Sequence, residues 1–288
     1  MKNLVLIQKI KELREKVKNA KGTVGLVPTM GALHNGHKSL IERAASENDF
    51  VVVSVFVNPT QFGPNEDYDK YPRTLEADVE LARSAGADVV FAPAPSEMYT
   101  KIYFEEKETT LVCPPYKYVN RLCGKSRPGH FDGVCTVVSK LFNLVKPDRA
   151  YFGQKDAQQL FIIKKMVEEL NFDIEIVKCP IVREEDGLAI SSRNTYLSEN
   201  DRKNAVNISK ALKKAKELKD SGIKEAQTLI DAAFAYLNGF DVDYVEIVSN
   251  EDFSRVETVK DNDIMLIAAK TPEVNARLID NIELWENF

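Results

Sequence analysis

TVGLVPTMGALHNGHKSL, residues 23–40, decides how this chain is read. It opens with a short apolar run, residues 24–27, of the length and β-branched content of a buried strand. Pro28, Thr29 and Gly31 break the strand, and from Lys38 the positions Leu40, Ile41, Ala44 and Ala45 recur at helical spacing. The stretch therefore predicts strand, turn and helix, with His34 and His37 in the turn. A helix N-terminus behind a buried parallel strand presents backbone N–H groups and the positive end of the helix dipole, which suits a phosphate. Two imidazoles beside it suit a phosphate whose charge is changing. The run from Gly31 to Lys38 also approaches a P-loop, but His37 stands where the lysine belongs and Lys38 comes one position late. The bland rival is a capping turn with incidental histidines. Against it, the chain has 3 histidines and two of them lie here.

Outward from this stretch, strand and helix alternate as far as residue 178 or so. Residues 51–57, VVVSVFV, form the continuous apolar run of a parallel strand covered on both faces. A polar loop, residues 58–73, leads to a helix that Thr74 caps and Gly86 ends. Residues 88–92 read as a strand, and residues 93–130, with five prolines, as irregular. Residues 131–145 read as a helix, 149–152 as a strand, 156–170 as a helix and 172–178 as a strand. Such alternation implies an α/β fold, a Rossmann-like doubly wound parallel sheet. After Pro180 the pattern shifts to two helices, residues 199–219 and 224–237, and then three strands, 242–248, 264–269 and 276–282. The expected division is residues 1–180 and a smaller C-terminal α+β domain, 181–288.

Composition narrows the function. With 44% hydrophobic and 29% charged residues in 288, the chain is of ordinary globular type with room for a substantial core. A net charge of −5 argues against nucleic acid as the main partner. No apolar run approaches a membrane span. The first 22 residues read as a charged amphipathic helix and not as a signal peptide. The 4 cysteines form no CxxC pair, the pattern of reduced, mostly buried thiols in a cytoplasmic protein.

In an open parallel sheet, ligands bind beyond the carboxyl ends of the strands. The loops expected there hold PTMGALHNGH, then Asn58 and Gln61, then Gly153-Gln154-Lys155-Asp156 with Gln159, and then Ser191-Ser192-Arg193-Asn194. His130, the third histidine, follows Lys125 and Arg127 in another such loop. Singly these residues say little, since surface Lys and Arg are usually just solvated. Their joint placement on one side of the sheet says more.

PTMGALHNGH, FVNPTQF, YPRT, RPGHFDGV, KPDRAYFGQKDAQQL and ISSRN, in this order and at these spacings, closely resemble the pantothenate synthetase family of the nucleotidylyltransferase superfamily. The resemblance runs over nearly the whole chain. It implies ATP-dependent joining of pantoate to β-alanine through a pantoyl adenylate, in a cytoplasmic homodimer, with Mg²⁺ on the ATP phosphates. His34-Asn-Gly-His37 resembles the superfamily's HxGH turn, and Ser191 to Asn194 its KMSKS-like loop, at the junction of a lid domain. By this resemblance His34, His37, Lys155 and Arg193 are catalytic, His37 as proton donor. Pro28, Thr29, Met30, Gly31, Gly36, Gly153, Gln154, Asp156, Val182, Ile190, Ser191 and Ser192 join them in binding ATP. Gln61, Gln159, Asn58, Arg127 and His130 bind substrate, the last two by adding positive charge, and Asp78 is a candidate Mg²⁺ ligand. Ile190 and Thr60 depart from the family, which often has methionine at both. The apolar run 131–145 could serve as core or as dimer interface. Rival readings are a transferase moving AMP onto a phosphorylated acceptor, a relative of class I tRNA synthetases, and a non-catalytic nucleotide-binding module.

Overall fold

The computed structural model describes residues 3–64 and 66–285. Its strands are β1 (Val5–Ile7), β2 (Val24–Thr29), β3 (Phe50–Val55), β4 (Val89–Phe91), β5 (Arg149–Gly153), β6 (Glu175–Cys179), β7 (Asp241–Ser249), β8 (Asp263–Lys270) and β9 (Arg277–Glu283). The helices are α1 (Ile10–Lys18), α2 (Asn35–Glu47), α3 (Leu75–Ser84), α4 (Pro95–Met98), α5 (Lys101–Glu106), α6 (Tyr116–Val119), α7 (Leu122–Ser126), α8 (His130–Val145), α9 (Ala157–Glu169), α10 (Glu199–Asp220) and α11 (Ala226–Phe234).

The first six strands form one sheet in the order β1-β4-β3-β2-β5-β6, every neighbouring pair parallel. The doubly wound expectation holds. Leu26, Val27, Val51, Val52 and Val53 are all fully buried, as strands sandwiched between helices must be. The order reverses between β2 and β5, the switch point beside whose carboxyl ends ligands sit in such sheets. The remaining strands form an antiparallel sheet, β7-β8-β9, whose apolar face packs with α10 and α11.

By internal contacts the chain divides into two compact units. One is Met1–Gly153 with Ile162–Cys179, the other Gln154–Phe161 with Pro180–Phe288. The turn carrying Lys155 therefore belongs with the C-terminal residues, although in sequence it follows directly on β5.

Several local expectations fail. The N-terminal segment is not one helix: residues 5–7 pair with β4 as an edge strand before α1 begins. Residues 93–130 hold four short helices, two of them introduced by Pro95 and Pro115. Proline is at home in a first helical turn, so those prolines mark starts as well as breaks. The run 131–145 is core: nearly every side chain of α8 is buried, and those that are not, Asp132, Lys140 and Asn143, are polar. Of the cysteines, Cys135 and Cys179 are buried, Cys123 is half-buried and Cys113 is exposed; all are free thiols.

Candidate active site

The turn after β2 departs from ordinary backbone. Gly31 (φ +85°) and Ala32 (φ +49°) are consecutive left-handed residues. Such a pair persists only where the surroundings hold it. Here Thr29 Oγ1 accepts from the Gly31 N–H (3.1 Å) and donates to the Ser54 carbonyl (2.6 Å). The Asp78 carboxylate, on α3, accepts from the N–H groups of Ala32 (3.1 Å) and Leu33 (2.8 Å) and from Thr74 Oγ1 (3.1 Å). A Cβ at Gly31 would lie 3.0 Å from both Asp78 Oδ2 and Val55 Cγ1, so glycine is required twice over, by φ and by space. Burial raises the Asp78 carboxyl above its ordinary value, and the three donors offset part of that rise.

This corrects the expectation for Asp78. It is 2% exposed, not a solvated helix residue, and both oxygens accept hydrogen bonds, from the Ala32 and Leu33 N–H groups and from Thr74 Oγ1, so the carboxylate holds the turn. Among the described residues no three His, Cys, Asp or Glu side chains converge on a point a metal could occupy.

His34 is the N-cap of α2 and His37 its third residue, so the helix starts three residues earlier than its apolar spacing predicts. The His34 N–H donates to His37 Nδ1 (3.4 Å), and the two rings stack at 4.0 Å and 28°. An Nδ1 that accepts leaves the neutral ring's proton on Nε2, so His37 presents Nε2–H as a donor. Gly36 permits this arrangement, since a Cβ there would come 3.0 Å from His34 Cε1 and Nδ1. The HxGH spacing thus has a geometric meaning: cap, spacer, glycine that clears the first ring, and second ring folded back on the cap.

The second cluster of this unit is a buried amide network. Asn58 Nδ2 donates to Gln61 Oε1 (3.0 Å) and to the Gly133 carbonyl (3.1 Å). Asn58 Oδ1 accepts from Tyr99 OH (2.6 Å) and Thr60 Oγ1 (3.1 Å). Gln61 Nε2 rests on Met30 Sδ (3.0 Å), which ties this network to the turn after β2. Gly133 lets α8 approach, because a Cβ there would sit 2.3 Å from the Thr60 carbonyl oxygen. Burial pushes the Tyr99 phenol up to about 12, so it remains a donor.

Arg127 and His130 do not supply the free positive charge expected of them. Arg127 is paired with Glu66 through Nε (2.8 Å) and Nη2 (2.5 Å). Its Nη1 approaches His130 Nε2 at 3.0 Å, and His130 Nδ1 lies 2.8 Å from the Gln61 carbonyl. Arginine only donates, so Nε2 accepts and Nδ1 carries the proton that the carbonyl accepts. His130 bridges Arg127 to the Gln61 backbone carbonyl. Burial alone would raise the Glu66 carboxyl, but the Arg127 hydrogen bonds and charge outweigh it and hold it below its ordinary value. Asn58, likewise expected to touch substrate, spends its amide on Gln61, Tyr99, Thr60 and Gly133; it positions Gln61. Beside Met30, Gly31 and Asp78 lies an open cleft of about 230 Å³, bordered by Phe56, Val57 and Arg73.

In the other unit, residues 154–156 form a 3₁₀ turn with Lys155 Nζ 3.9 Å from Asp156 Oδ2. Val182 and Ile190 face each other across the neck of a loop, where the Ile190 N–H donates to the Val182 carbonyl (3.0 Å). Beyond the neck Ser191 caps a 3₁₀ turn, Ser192–Tyr196, its Oγ accepting from the Arg193 N–H (3.3 Å). Within each unit the expected ATP-binding residues are therefore neighbours: Thr29 to His37 in one, Lys155 and Asp156 in one turn of the other, Ser191 to Arg193 in a second. Sequence reasoning did not single out Glu66, Tyr99 or Gly133 for the Gln61 network, nor Asp280 and Asn281 beside Lys155. Gly133 stands inside a quoted motif; the others carry no local signal, since their meaning depends on partners far away in sequence.

A Rossmann-like sheet whose switch-point turn carries two imidazoles at a helix N-terminus defines an α/β enzyme of the kind that acts on nucleotides. The particular family follows from comparison. The model of the family described as pantoate-beta-alanine ligase matches residues 5–283. Pantothenate synthetase of Thermotoga petrophila is 50% identical over 284 residues, 98% of this chain and 99% of that protein. The Clostridium acetobutylicum enzyme of the same name is 52% identical over 282 residues, 96% and 98% of the two chains. Crystalline pantothenate synthetase of Thermus thermophilus superposes with a TM-score of 0.91 at 44% identity, covering 99% of this chain and all of that one. The pantoate-beta-alanine ligase of Francisella tularensis, in complex with beta-gamma ATP and β-alanine, superposes at 0.79 with 35% identity, covering 99% of each chain. This chain belongs to the pantoate-beta-alanine ligase family.

Proposed function

We propose that the chain joins pantoate to β-alanine at the expense of ATP, giving pantothenate, AMP and pyrophosphate through a pantoyl adenylate. The observation that carries this reading is the His34–His37 pair at the N-terminus of α2, in a chain of this family. The ligands of the Francisella relative, an ATP form and β-alanine, support the same substrates here.

In the first step a pantoate carboxylate oxygen attacks the α-phosphorus and pyrophosphate leaves in line. Negative charge grows on the α-phosphate and on the leaving group, so preorganised donors and in-line placement supply most of the catalysis. The N-terminus of α2 and His37 Nε2–H meet that charge, with His34 beside them. Lys155, Arg193 and the hydroxyls of Ser191 and Ser192 hold phosphate oxygens through charge-assisted bonds. Backbone groups at Pro28 to Gly31, Gly153, Gln154, Val182 and Ile190 contact the nucleotide. Gln61 and Gln159 bind pantoate, with Met30 beside Gln61 and the Asn58–His130–Arg127 brace behind it. In the second step the amine of β-alanine attacks the acyl carbon and AMP departs. Mg²⁺ enters as part of the ATP substrate, carried on its phosphates.

A homodimer is part of the same proposal. Ile102, Phe104, Leu111 and Tyr116 are exposed along residues 101–116, and a partner surface would cover them. The test of the reaction is pyrophosphate release from ATP with pantoate alone, then AMP and pantothenate once β-alanine is added. Release that requires a phosphorylated acceptor would replace the ligase by a transferase. ATP binding without any release would leave only a regulatory module.

A further inference from the structure

The last strand of the chain contributes two buried polar residues that no part of the proposed reaction uses. Asp280 is 4% exposed and Asn281 is 1% exposed, and being adjacent in β9 they point to opposite faces of the sheet. Asn281 Nδ2 donates to the backbone carbonyls of both Gln154 and Lys155, each at 3.0 Å. These are the two residues that open the 3₁₀ turn, so one amide group pins the turn from which the Lys155 side chain leaves. On the other face, Asp280 accepts from Arg183 Nη1 (2.7 Å) and Nη2 (3.0 Å). Arg183 also donates to the Gly187 carbonyl (3.0 Å) and the Asn281 carbonyl (3.3 Å). It stands next to Val182 at the neck of the loop that leads to Ser191, paired across that neck with Ala189. The Asn281 backbone N–H donates to Asp280 Oδ1 (2.8 Å), so the Asp280 carboxylate that holds Arg183 also holds the backbone from which the Asn281 amide leaves.

A hydrogen-bonded amide this deep costs its desolvation unless the bonds return it. Two good bonds to one turn, from a residue more than a hundred positions away in sequence, are what holding a side chain's point of departure requires. We infer that Asn281, with Asp280 and Arg183 behind it, is a positioning residue: it fixes the Lys155 turn at a set distance from the Ser191–Arg193 loop, so that the phosphate-binding groups of this unit are preorganised. The inference rests on the proposed role of Lys155 as a phosphate ligand.

Misplacing a reacting or binding group by about 1 Å costs on the order of 100-fold. The experiment compares Asn281→Leu, of similar shape without donors, and Asn281→Ala with Lys155→Ala and the Lys155→Ala/Asn281→Ala double variant, all in the full chain. Two half-reactions are read: pyrophosphate release from ATP and pantoate, and aminolysis of supplied pantoyl adenylate by β-alanine, which involves no triphosphate. Expected in both Asn281 variants is a fall of ~10- to 100-fold in pyrophosphate release. Aminolysis should fall clearly less than pyrophosphate release, because Lys155 is proposed to hold phosphates that are absent from the adenylate, while the Gln154 contact to the nucleotide is common to both half-reactions. In the Lys155→Ala background, Asn281→Ala should add little, since the two act through one group. Equal loss in both half-reactions, or additive losses in the double variant, overturns the inference and leaves Asn281 a stability residue. Unchanged pyrophosphate release in Lys155→Ala overturns the role of Lys155 itself. A loss in Lys155→Ala with none in either Asn281 variant overturns the positioning alone. If Asn281→Leu fails to fold, Asn281→Ala, which admits water to the two carbonyls, still decides.

Discussion

Gly36 is as informative as the histidines on either side of it. A Cβ there would crowd the His34 ring at 3.0 Å, in the same turn whose His34 backbone N–H sets the His37 tautomer. His37→Ala should therefore lower adenylation by roughly 10²–10³, the usual loss for one transition-state donor (about 3–4 kcal/mol), read as single-turnover pyrophosphate release. Asp78 makes a sharper test, because the sequence suggested a metal ligand and the structure shows a clamp on Ala32 and Leu33. Asp78→Asn replaces an acceptor by a donor facing N–H groups, and should cost about 1–3 kcal/mol of stability in chemical denaturation and reduce turnover with it. The Mg²⁺ concentration giving half-maximal rate should not move; a several-fold rise would restore Asp78 as a ligand. At this scale the sequence was legible wherever a side chain's use follows from its neighbours within four residues, as in HxGH. It was not legible for Asn58, Arg127 and His130, whose partners at Gly133, Glu66 and Gln61 decide whether an amide, guanidinium or imidazole faces substrate or spends itself holding something else.

Among the elements, the long periodic ones were legible and the short ones were not. α8 and α10 show their apolar spacing over several turns, and β2 and β3 their unbroken apolar runs. β1, with 3 residues, has no period to detect, and only its pairing with Val89–Phe91 makes it a strand. The helices between residues 95 and 126 run 4 to 6 residues, again too short for a period, and are set by where the chain must pass. Element contact also shows where tolerance ends. Gly133→Ala would drive a methyl into the Thr60 carbonyl and push α8 from the Pro59–Gln61 turn, at about 1–3 kcal/mol for the overpacking. Because that turn carries Gln61, the KM for pantoate should rise at least several-fold while the KM for ATP changes little, a split steady-state kinetics would show. A loss confined to thermal stability would separate α8 from pantoate binding.

Over the whole molecule, acidic groups shift in opposite directions and set how stability follows pH. Glu66 is held below its ordinary value of 4.5, so its contribution is fully present above that value and is lost as pH falls through the folded-state value. Burial raises Asp78 and Asp280, so their contribution runs the other way, fully present at low pH and lost as pH rises through their folded-state values. Glu66→Gln should accordingly lower the melting temperature most near neutrality. Its difference from the unaltered protein should shrink below about pH 4.5, where the unfolded carboxyl already takes up its proton. A difference independent of pH would mean that the Glu66–Arg127 pair acts through shape and not charge. The edge strand β1 bears on a different matter, the order in which the molecule is made. It is made well before its partner β4, which is synthesised roughly 80 residues later and must itself join β3. At ~5–20 residues per second, an apolar tripeptide waits about 4–16 s with nowhere to go. The nascent chain is thus exposed to mispairing and to capture by chaperones until β4 is made, and truncation before residue 89 should yield insoluble fragments even though two of the central strands are already present.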